Sequence, residues 1–413
     1  MPSAGLGHVA TASFLASRVA PTGGFAVALA GGVAIARAAQ RGGFRSGAGT
    51  SAAAILQTVA IMGPARVGIP LTQAVSAPVL GWMEARGRGT VAQALAAAAI
   101  RLAHHVVGVL FYVWLILGID AYAGSYDRLL GWLPLLPEGR TGALIATALA
   151  ILGWTVGASV VQAVVYRRGL RRWPADGSPS PLSDVSLGAA RAVPARAPAV
   201  AVAVAPRFDP RAVVLAAVVA FAVLVASTAW ALLGAVAAWL AVAWALSRGD
   251  RAPVPAGLVL TAALAGTTLV FGLAGGLGVD VTLRRTVRAA LLVLVATWLR
   301  SAAGEDGLRE VFRRMLRRVR RVPVARETEE VLGALGSPGT LAASGRRLLE
   351  RLRGVPAKRP VPLADAVLDW VAGEAGHHAA APPEPPRVLR ARARDGALVA
   401  LAVATALSLP LAS

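Results

Sequence analysis

Long uncharged stretches of apolar residues alternate with short basic segments along most of the chain. The clearest stretches cover residues 22–38, 90–119, 141–166 and 212–247. A run of about 20 apolar residues is long enough to cross the hydrocarbon core of a bilayer as an α-helix. The pattern therefore predicts an all-α, polytopic membrane protein with about eight or nine transmembrane or re-entrant helices.

Two of the apolar stretches are too long for one ordinary span. Residues 212–247 favour two short helices with a turn near Ser227 and Thr228. Residues 51–81 are interrupted by Pro64, Arg66 and Pro70, and both ends are basic. Proline breaks the helical hydrogen-bond ladder, and basic ends are typical of cytoplasmic loops. This stretch is a re-entrant pair of half-helices meeting near Pro64, one long kinked helix, or two ordinary helices joined by a short loop.

Breaks in composition divide the chain into five parts. The loop at residues 120–140 is the least basic large loop, so we place it outside the cell, and a Pro-rich segment with no helical period marks a linker. The predicted parts are an N-terminal membrane helical domain without an assigned role (1–173), a Pro/Ala-rich basic linker (174–206), a second membrane helical domain (207–302), cytoplasmic Arg-rich helices (303–395) and a C-terminal hydrophobic helix (396–413).

The sharpest pattern in the chain is an amphipathic helix at residues 305–321, where one apolar stripe faces a surface rich in arginine. Such a helix needs an apolar partner: the anionic membrane surface, the rest of its own chain, or the groove of a cytoplasmic protein. Pro323 ends the helix, and two further amphipathic segments follow at 341–352 and 363–371. The stripe contains Leu308, Val311, Phe312, Met315, Leu316 and Val319.

Charge and composition restrict the function. The net charge is +21, and 56% of the residues are hydrophobic. In a membrane chain such a charge belongs to loops at the cytoplasmic face beside anionic lipid, so we expect membrane lipid and no nucleic acid as a partner. The predicted location is a bacterial inner membrane, crossed several times. Lys358 is the only lysine, and its surroundings exclude a P-loop, so any ATP must be bound by another chain.

No catalytic constellation is present, and we expect a protein that is not an enzyme, with no cofactor and no metal. Cysteine is absent, which excludes disulfides and thiolate metal sites. His104 and His105 are adjacent, so their rings point to different helix faces and do not chelate one ion together. A polar path through the membrane is predicted along Arg66, Arg101 and His104. We expect His377 and His378, in an Ala/Pro-rich segment, to be exposed.

The second half resembles the transmembrane (T) component of energy-coupling factor transporters, which are bacterial uptake systems for vitamins and metal ions. The sequence Asp209-Pro210-Arg211 resembles the start of the family's first helix, and a tight helical hairpin follows. Residues 286–300 then lead into the Arg-rich segment and Pro323. The resemblance implies a non-catalytic scaffold that joins P-loop ATPase subunits to a substrate-binding membrane subunit. It also implies that the coupling surface contains Leu308, Phe312, Met315, Arg313 and Arg317.

Other functions remain open at this point. The chain is alternatively a stand-alone membrane carrier built on the broken segment around 64–70, or a membrane organiser that binds anionic lipid through its arginines.

Overall fold

The computed structural model describes residues 2–19, 24–130, 138–173, 207–247, 249–353, 355, 360–378, 389 and 391–407. Within these ranges the chain forms 15 α-helices and no strand, which confirms the all-α fold. The predicted linker at 174–206 and the last residues of the predicted C-terminal helix, 408–413, lie outside the described residues.

The first part of the chain forms six helices. Helix α2 is interrupted at Gly43, whose φ of 77° breaks the helical path, and α4 continues as a π-helix over Leu110–Leu117. The expected outside loop at 120–140 is wrong for its first half, which is helical, with Asp120 in the first turn and Arg128 in the last, as the helix dipole favours. The helices are α1 (Pro2–Val19), α2 (Gly24–Met62), α3 (Gly68–Ala85), α4 (Thr90–Val109), α5 (Ile119–Leu130) and α6 (Gly139–Arg172).

The interrupted stretch at residues 51–81 folds as a helical hairpin. Helix α2 ends at Met62, Gly63 takes a φ of 86°, and a 3₁₀ turn at Pro64–Arg66 leads into α3. The two helices lie side by side, since the Ser51 hydroxyl donates to the Ala74 carbonyl at 2.7 Å. A single long kinked helix is thereby excluded. The chain reverses here because glycine tolerates a positive φ and proline supplies no N–H to continue the ladder.

The second part of the chain contains nine helices. The predicted pair at 212–247 is confirmed: α7 ends at Ala226, Ser227 is extended, and α8 starts at Trp230. The four apolar helices are α7 (Pro210–Ala226), α8 (Trp230–Leu246), α9 (Val254–Ala274) and α10 (Val279–Ala303). The remaining helices are α11 (Glu305–Arg318), α12 (Pro323–Ala334), α13 (Pro338–Arg353), α14 (Pro360–His377) and α15 (Ala393–Leu407).

Four of the described helices are long and apolar enough to cross a membrane: α4 with its π-helical continuation, α6, α9 and α10. Most of the apolar window of α10 (78%) is buried inside the protein, whereas only 17–22% is buried in the other three. Helix α10 is therefore central, and the others turn apolar side chains outward, such as Trp114 (76% exposed) and Val259 (71% exposed). Helices α7 and α8 are apolar but have only 17 residues each.

Two main hydrophobic cores hold the helices together. The first encloses α1 and joins it to α2, α13 and α14; Phe14, Leu348 and Trp370 belong to it. The second joins α7, α8, α10, α11 and α15, with the rings of Trp239 and Trp298 edge to face at 5.2 Å between centroids. The first core therefore combines the N-terminal helices with helices from the predicted cytoplasmic region.

Candidate functional site

Helix α11 carries the predicted docking residues, and the structure divides them between core and surface. Leu308 is 1% exposed, whereas Met315 is 57% exposed. Phe312 is half-buried and packs against both the α7–α10 core and a smaller cluster between α2 and α12. The start of the apolar stripe is thus anchored on its own chain, and the end of the stripe is open.

The two predicted docking arginines bind carboxylates of their own chain. Arg317 Nε lies 3.2 Å from Glu329 Oε1 on helix α12. Arg313 is buried and lies 3.6 Å from Glu329 and 3.8 Å from Glu310. The two ion pairs with Glu329 join α11 to α12. Two guanidinium groups of the predicted coupling surface therefore hold the helix pair together.

Arg309 strengthens the same joint from inside the protein. Its guanidinium is buried and donates to the carbonyls of Leu332 at 2.7 Å and Leu335 at 2.9 Å, at the end of α12. The last carbonyls of a helix have no partner within the helix, and a cation there also complements the helix dipole. Helices α11 and α12 consequently form one unit.

A small apolar surface lies at the end of α11 and in the turn that follows it, and we call this surface the apolar end of α11. It consists of Met315, Val319 and Val322, which are 57%, 50% and 53% exposed. Three exposed arginines lie next to it: Arg318, Arg320 and Arg321. An apolar patch with a basic rim is typical of a surface that another molecule covers.

Arg300, at the end of helix α10, links three separate parts of the chain. Its Nε donates to the Ile61 carbonyl at 2.7 Å, just before the tip of the α2–α3 hairpin. Its two terminal nitrogens lie 3.3 Å from Asp250 and 3.7 Å from Glu305. Gln57 of α2 also donates to Glu305, at 3.3 Å. The first residue of α11 is thus bound to the hairpin and to the central apolar helix at once.

The carboxyl of Glu305 is largely buried within this junction, where burial disfavours its negative charge. Burial raises the pKa of its carboxyl from 4.5 to about 8. The positive charges of Arg300 and Arg309 oppose that shift, and the negative charges of Asp306 and Asp250 add to it. A carboxyl with such a pKa changes charge near neutral pH, at the joint between the apolar helices and α11.

The Asp-Pro-Arg sequence forms the N-terminal cap of helix α7. The Asp209 carboxylate accepts hydrogen bonds from the Arg211 backbone N–H at 2.8 Å and from its guanidinium at 2.7 Å. Asp209 N–H donates to Asp395 at 2.9 Å, which ties α15 to the start of α7. Pro210 lies so close to Gly307 that a Cβ on the glycine would be 2.6 Å from the proline ring. The motif therefore fixes where α11 crosses α7.

The residues of the predicted polar path occupy two places. Arg101 is buried and donates to Gln162 at 2.9 Å, and Gln162 donates to Ser76 at 2.7 Å. His104 is half-buried one turn along α4. Arg66 lies instead in the hairpin turn, beside a small cavity that α9 and α10 help to line. Arg101 and His104 therefore lie together on one face of α4, whereas Arg66 lies apart from them in the turn between α2 and α3.

A second polar cluster joins the N-terminal helix to α13 and α14. The rings of His8 and His378 stack with 3.6 Å between centroids, so the expectation that His378 is exposed is wrong. Ser344 donates to Glu374 at 2.6 Å, and Arg347 pairs with the same carboxylate. The ligand atoms of His8, Glu374 and His378 lie within 4.8 Å of one another. A metal ion in the plane of one stacked ring would lie outside the plane of the other, so the geometry favours a hydrogen-bonded clamp.

Comparisons with known proteins were negative: no family model, curated protein or solved structure matches this chain. The resemblance to the T component therefore rests on the sequence features quoted above.

Sequence reasoning missed several of the residues that organise this site. Arg300, Glu305 and Arg309 follow the ordinary helical pattern, and nothing in their spacing marks them as buried. His8 lies in a segment with no predicted element. One signal was available: Glu305 opens a basic amphipathic helix, but the helix dipole alone favours a carboxylate at that position.

Proposed function

We propose that this chain is a non-catalytic membrane scaffold of an ATP-driven importer of the energy-coupling factor type. In this role the apolar end of α11 docks on a separate P-loop ATPase, and the membrane part holds a substrate-binding subunit for a vitamin or metal ion. The observation that carries the proposal is the exposed, Arg-rimmed surface at Met315, Val319 and Val322. The resemblance of the second half to the T component supplies the nature of the partner.

The anchoring of α11 supports a coupling role. A helix that transmits force must be rigidly joined to the part that it moves. Arg300 and Glu305 tie the first turn of α11 to the central apolar helix and to the α2–α3 hairpin. Arg309 and Glu329 tie its later turns to α12. In this proposal, a movement imposed at the apolar end of α11 is transmitted through these contacts to α10 and to the α2–α3 hairpin.

The proposal includes a location and a topology. The chain would cross the bacterial inner membrane several times, with α7 and α8 and parts of the broken segment adding to the four long apolar helices, for about eight or nine transmembrane or re-entrant helices in all. Helices α11–α14 would lie on the cytoplasmic side, where arginine is favoured beside anionic lipid.

A site-specific photo-crosslinker at Met315 tests the proposal in native membranes. Met315 is exposed, so the substitution leaves the core intact, unlike a change at Leu308. We expect a crosslink to a protein that mass spectrometry identifies as a P-loop ATPase. The same crosslinker at Val161, which is 48% exposed on the apolar helix α6, serves as a matched control and should capture lipid or another membrane subunit.

Two charges placed on the patch provide the second arm of the test. Covering a half-exposed apolar side chain is worth about 1 kcal/mol, so Met315→Asp with Val319→Asp loses about 2 kcal/mol and should weaken ATPase binding by roughly thirtyfold or more. Unchanged copurification of the ATPase with this variant would contradict the proposal. So would a Met315 crosslink to lipid alone, which is the result expected if the patch rests on the membrane surface.

A stand-alone carrier is favoured by a different observation, the buried Arg101. Its hydrogen bond goes to a neutral amide, Gln162, and within the described residues no carboxylate pairs with it. A buried cation of this kind attracts an anionic solute. Uptake of a labelled anion by liposomes that contain only this chain, abolished by Arg101→Gln, would support this function over the scaffold.

A further inference from the structure

A groove lies where the C-terminal helix α15 crosses the start of α7 and the end of α8. Its cavity has a volume of about 190 Å³, several times the share of one water molecule in liquid water (about 30 Å³). The floor and walls are almost entirely apolar. They are formed by Phe208, Val242, Ala243, Leu246, Ala397, Leu398 and Leu401.

Two arginines complete the lining of this groove. Arg207 is exposed, and Arg394 is half-buried. The Nε atom of Arg394 is buried and has no hydrogen-bond partner. The carboxylate of Asp395, the next residue in the chain after Arg394, accepts from the backbone N–H groups of Asp209 and Arg392. Among the described residues, neither guanidinium forms an ion pair.

The groove opens toward the apolar surface of the helices. Val242, Leu246 and Leu401 line it and are 46%, 44% and 44% exposed. Aliphatic side chains at this exposure suit contact with hydrocarbon, whereas guanidinium groups beside them suit the level of lipid headgroups. The site therefore combines an apolar cleft, suited to hydrocarbon, with two guanidinium groups at its edge that form no ion pair among the described residues.

We propose that this groove binds one anionic phospholipid. The phosphate lies between Arg207 and Arg394, and part of one acyl chain fills the cleft between α8 and α15. The charge of the lining selects an acidic headgroup, and the apolar floor selects a ligand with a hydrocarbon chain. Bound lipid holds α15 against the start of α7, beside the Asp209–Asp395 contact. The site does not depend on whether α11 docks on an ATPase.

Native mass spectrometry of the full chain in detergent, titrated with phosphatidylglycerol, tests the site. We expect one tightly bound lipid per chain, and much weaker binding of phosphatidylcholine. A basic residue near an anionic lipid contributes a factor of about five in affinity, so Arg207→Gln with Arg394→Gln should weaken phosphatidylglycerol binding roughly thirtyfold. The matched control, Arg318→Gln with Arg321→Gln, removes the same charge from α11 and should retain the tight site.

A second variant tests the contribution of the apolar cleft independently of the two arginines. Ala397 is an exposed residue of the lining, and Ala397→Trp should fill the groove and displace the acyl chain while both arginines stay in place. Equal melting temperatures of all variants in lipid-free detergent establish that they are folded. Binding of both lipids with equal affinity, loss of the site in the α11 control, or retention of the lipid by Ala397→Trp would each overturn the proposal. Equal stabilisation by glycerol phosphate would overturn it in favour of a site for free phosphate.

Discussion

We expect the contribution of Glu305 to the stability of the protein to fall as the pH rises. Its side chain is only 11% exposed, and burial raises the pKa of the carboxyl from 4.5 to about 8. The folded state therefore keeps a proton that the unfolded state gives up. The contribution to stability is complete below pH 4.5, decreases as the pH rises, and is fully lost above pH 8. Between pH 6 and pH 8 the loss amounts to about 2 kcal/mol.

The substitution Glu305→Gln removes this titration while it keeps the shape of the side chain. We expect the free energy of unfolding of the variant, relative to the natural protein, to increase by about 2 kcal/mol between pH 6 and pH 8. The chain contains 10 tryptophans, so their fluorescence during thermal unfolding in detergent is a suitable assay. Glu138→Gln, at an exposed position just before α6, controls for the loss of one negative charge.

Two results would refute this reasoning. If the difference between Glu305→Gln and the natural protein does not change with pH, the carboxyl is ionised throughout the range, and the contact with Arg300 outweighs its burial. If the Glu138→Gln control shows the same slope, the effect belongs to the overall charge of this basic chain.

Three further predictions concern other parts of the structure. Burial lowers the pKa of His8 from 6.5 to about 3, so the stability of the natural protein relative to His8→Gln should fall by about 2 kcal/mol from pH 7 to pH 5. Gly307→Ala should destabilise the protein by about 1–3 kcal/mol, because the new Cβ would lie 2.6 Å from Pro210. Met315→Asp should change stability by no more than about 0.5 kcal/mol, whereas Leu308→Asp, at a 1% exposed position, should cost more than about 4 kcal/mol.

Each of these outcomes has a direct check in the same unfolding assay. Equal acid sensitivity of the natural protein and His8→Gln would mean that the stack with His378 opens before His8 titrates. A neutral Gly307→Ala would mean that α7 and α11 separate easily. Its control is Gly396→Ala, at a position where a Cβ meets nothing within 4 Å. Loss of folding in Met315→Asp would mean that the apolar end of α11 is covered by the chain itself.

Local patterns predicted the helices well, because each pattern reports on one segment at a time. The stripe at 305–321 predicted a helix observed at Glu305–Arg318, and the pair α7–α8 turns at Ser227 as predicted. The prediction of a loop at 120–140 was wrong for its first half, which forms α5. This helix has only 12 residues, and its apolar part is too short to give a clear pattern. Acidic and basic residues at opposite ends of this segment stabilise a helix through its dipole, a feature that a count of basic residues does not reveal.

Contacts between distant segments escaped prediction, since no single stretch of sequence encodes them. Arg313 and Arg317 look like a free basic face until Glu329 of the next helix is placed beside them. His8 and Ser344 are 336 positions apart and yet in hydrogen-bond contact at 2.9 Å. The buried helix α1 carries no apolar stripe because apolar contacts surround it, and a helix without a one-sided pattern gives little signal.

The position of Arg300 explains why the site at α11 depends on parts of the chain that no motif connects to it. A guanidinium with 7% of its side chain exposed needs several acceptors, or its burial would cost several kcal/mol. Its acceptors come from the hairpin, from the segment after α8 and from the first turn of α11. Displacing any one of these segments removes an acceptor from a buried cation and so disfavours movement of that segment alone. The three segments are therefore expected to move together, and a push on α11 is transmitted to the hairpin through Arg300.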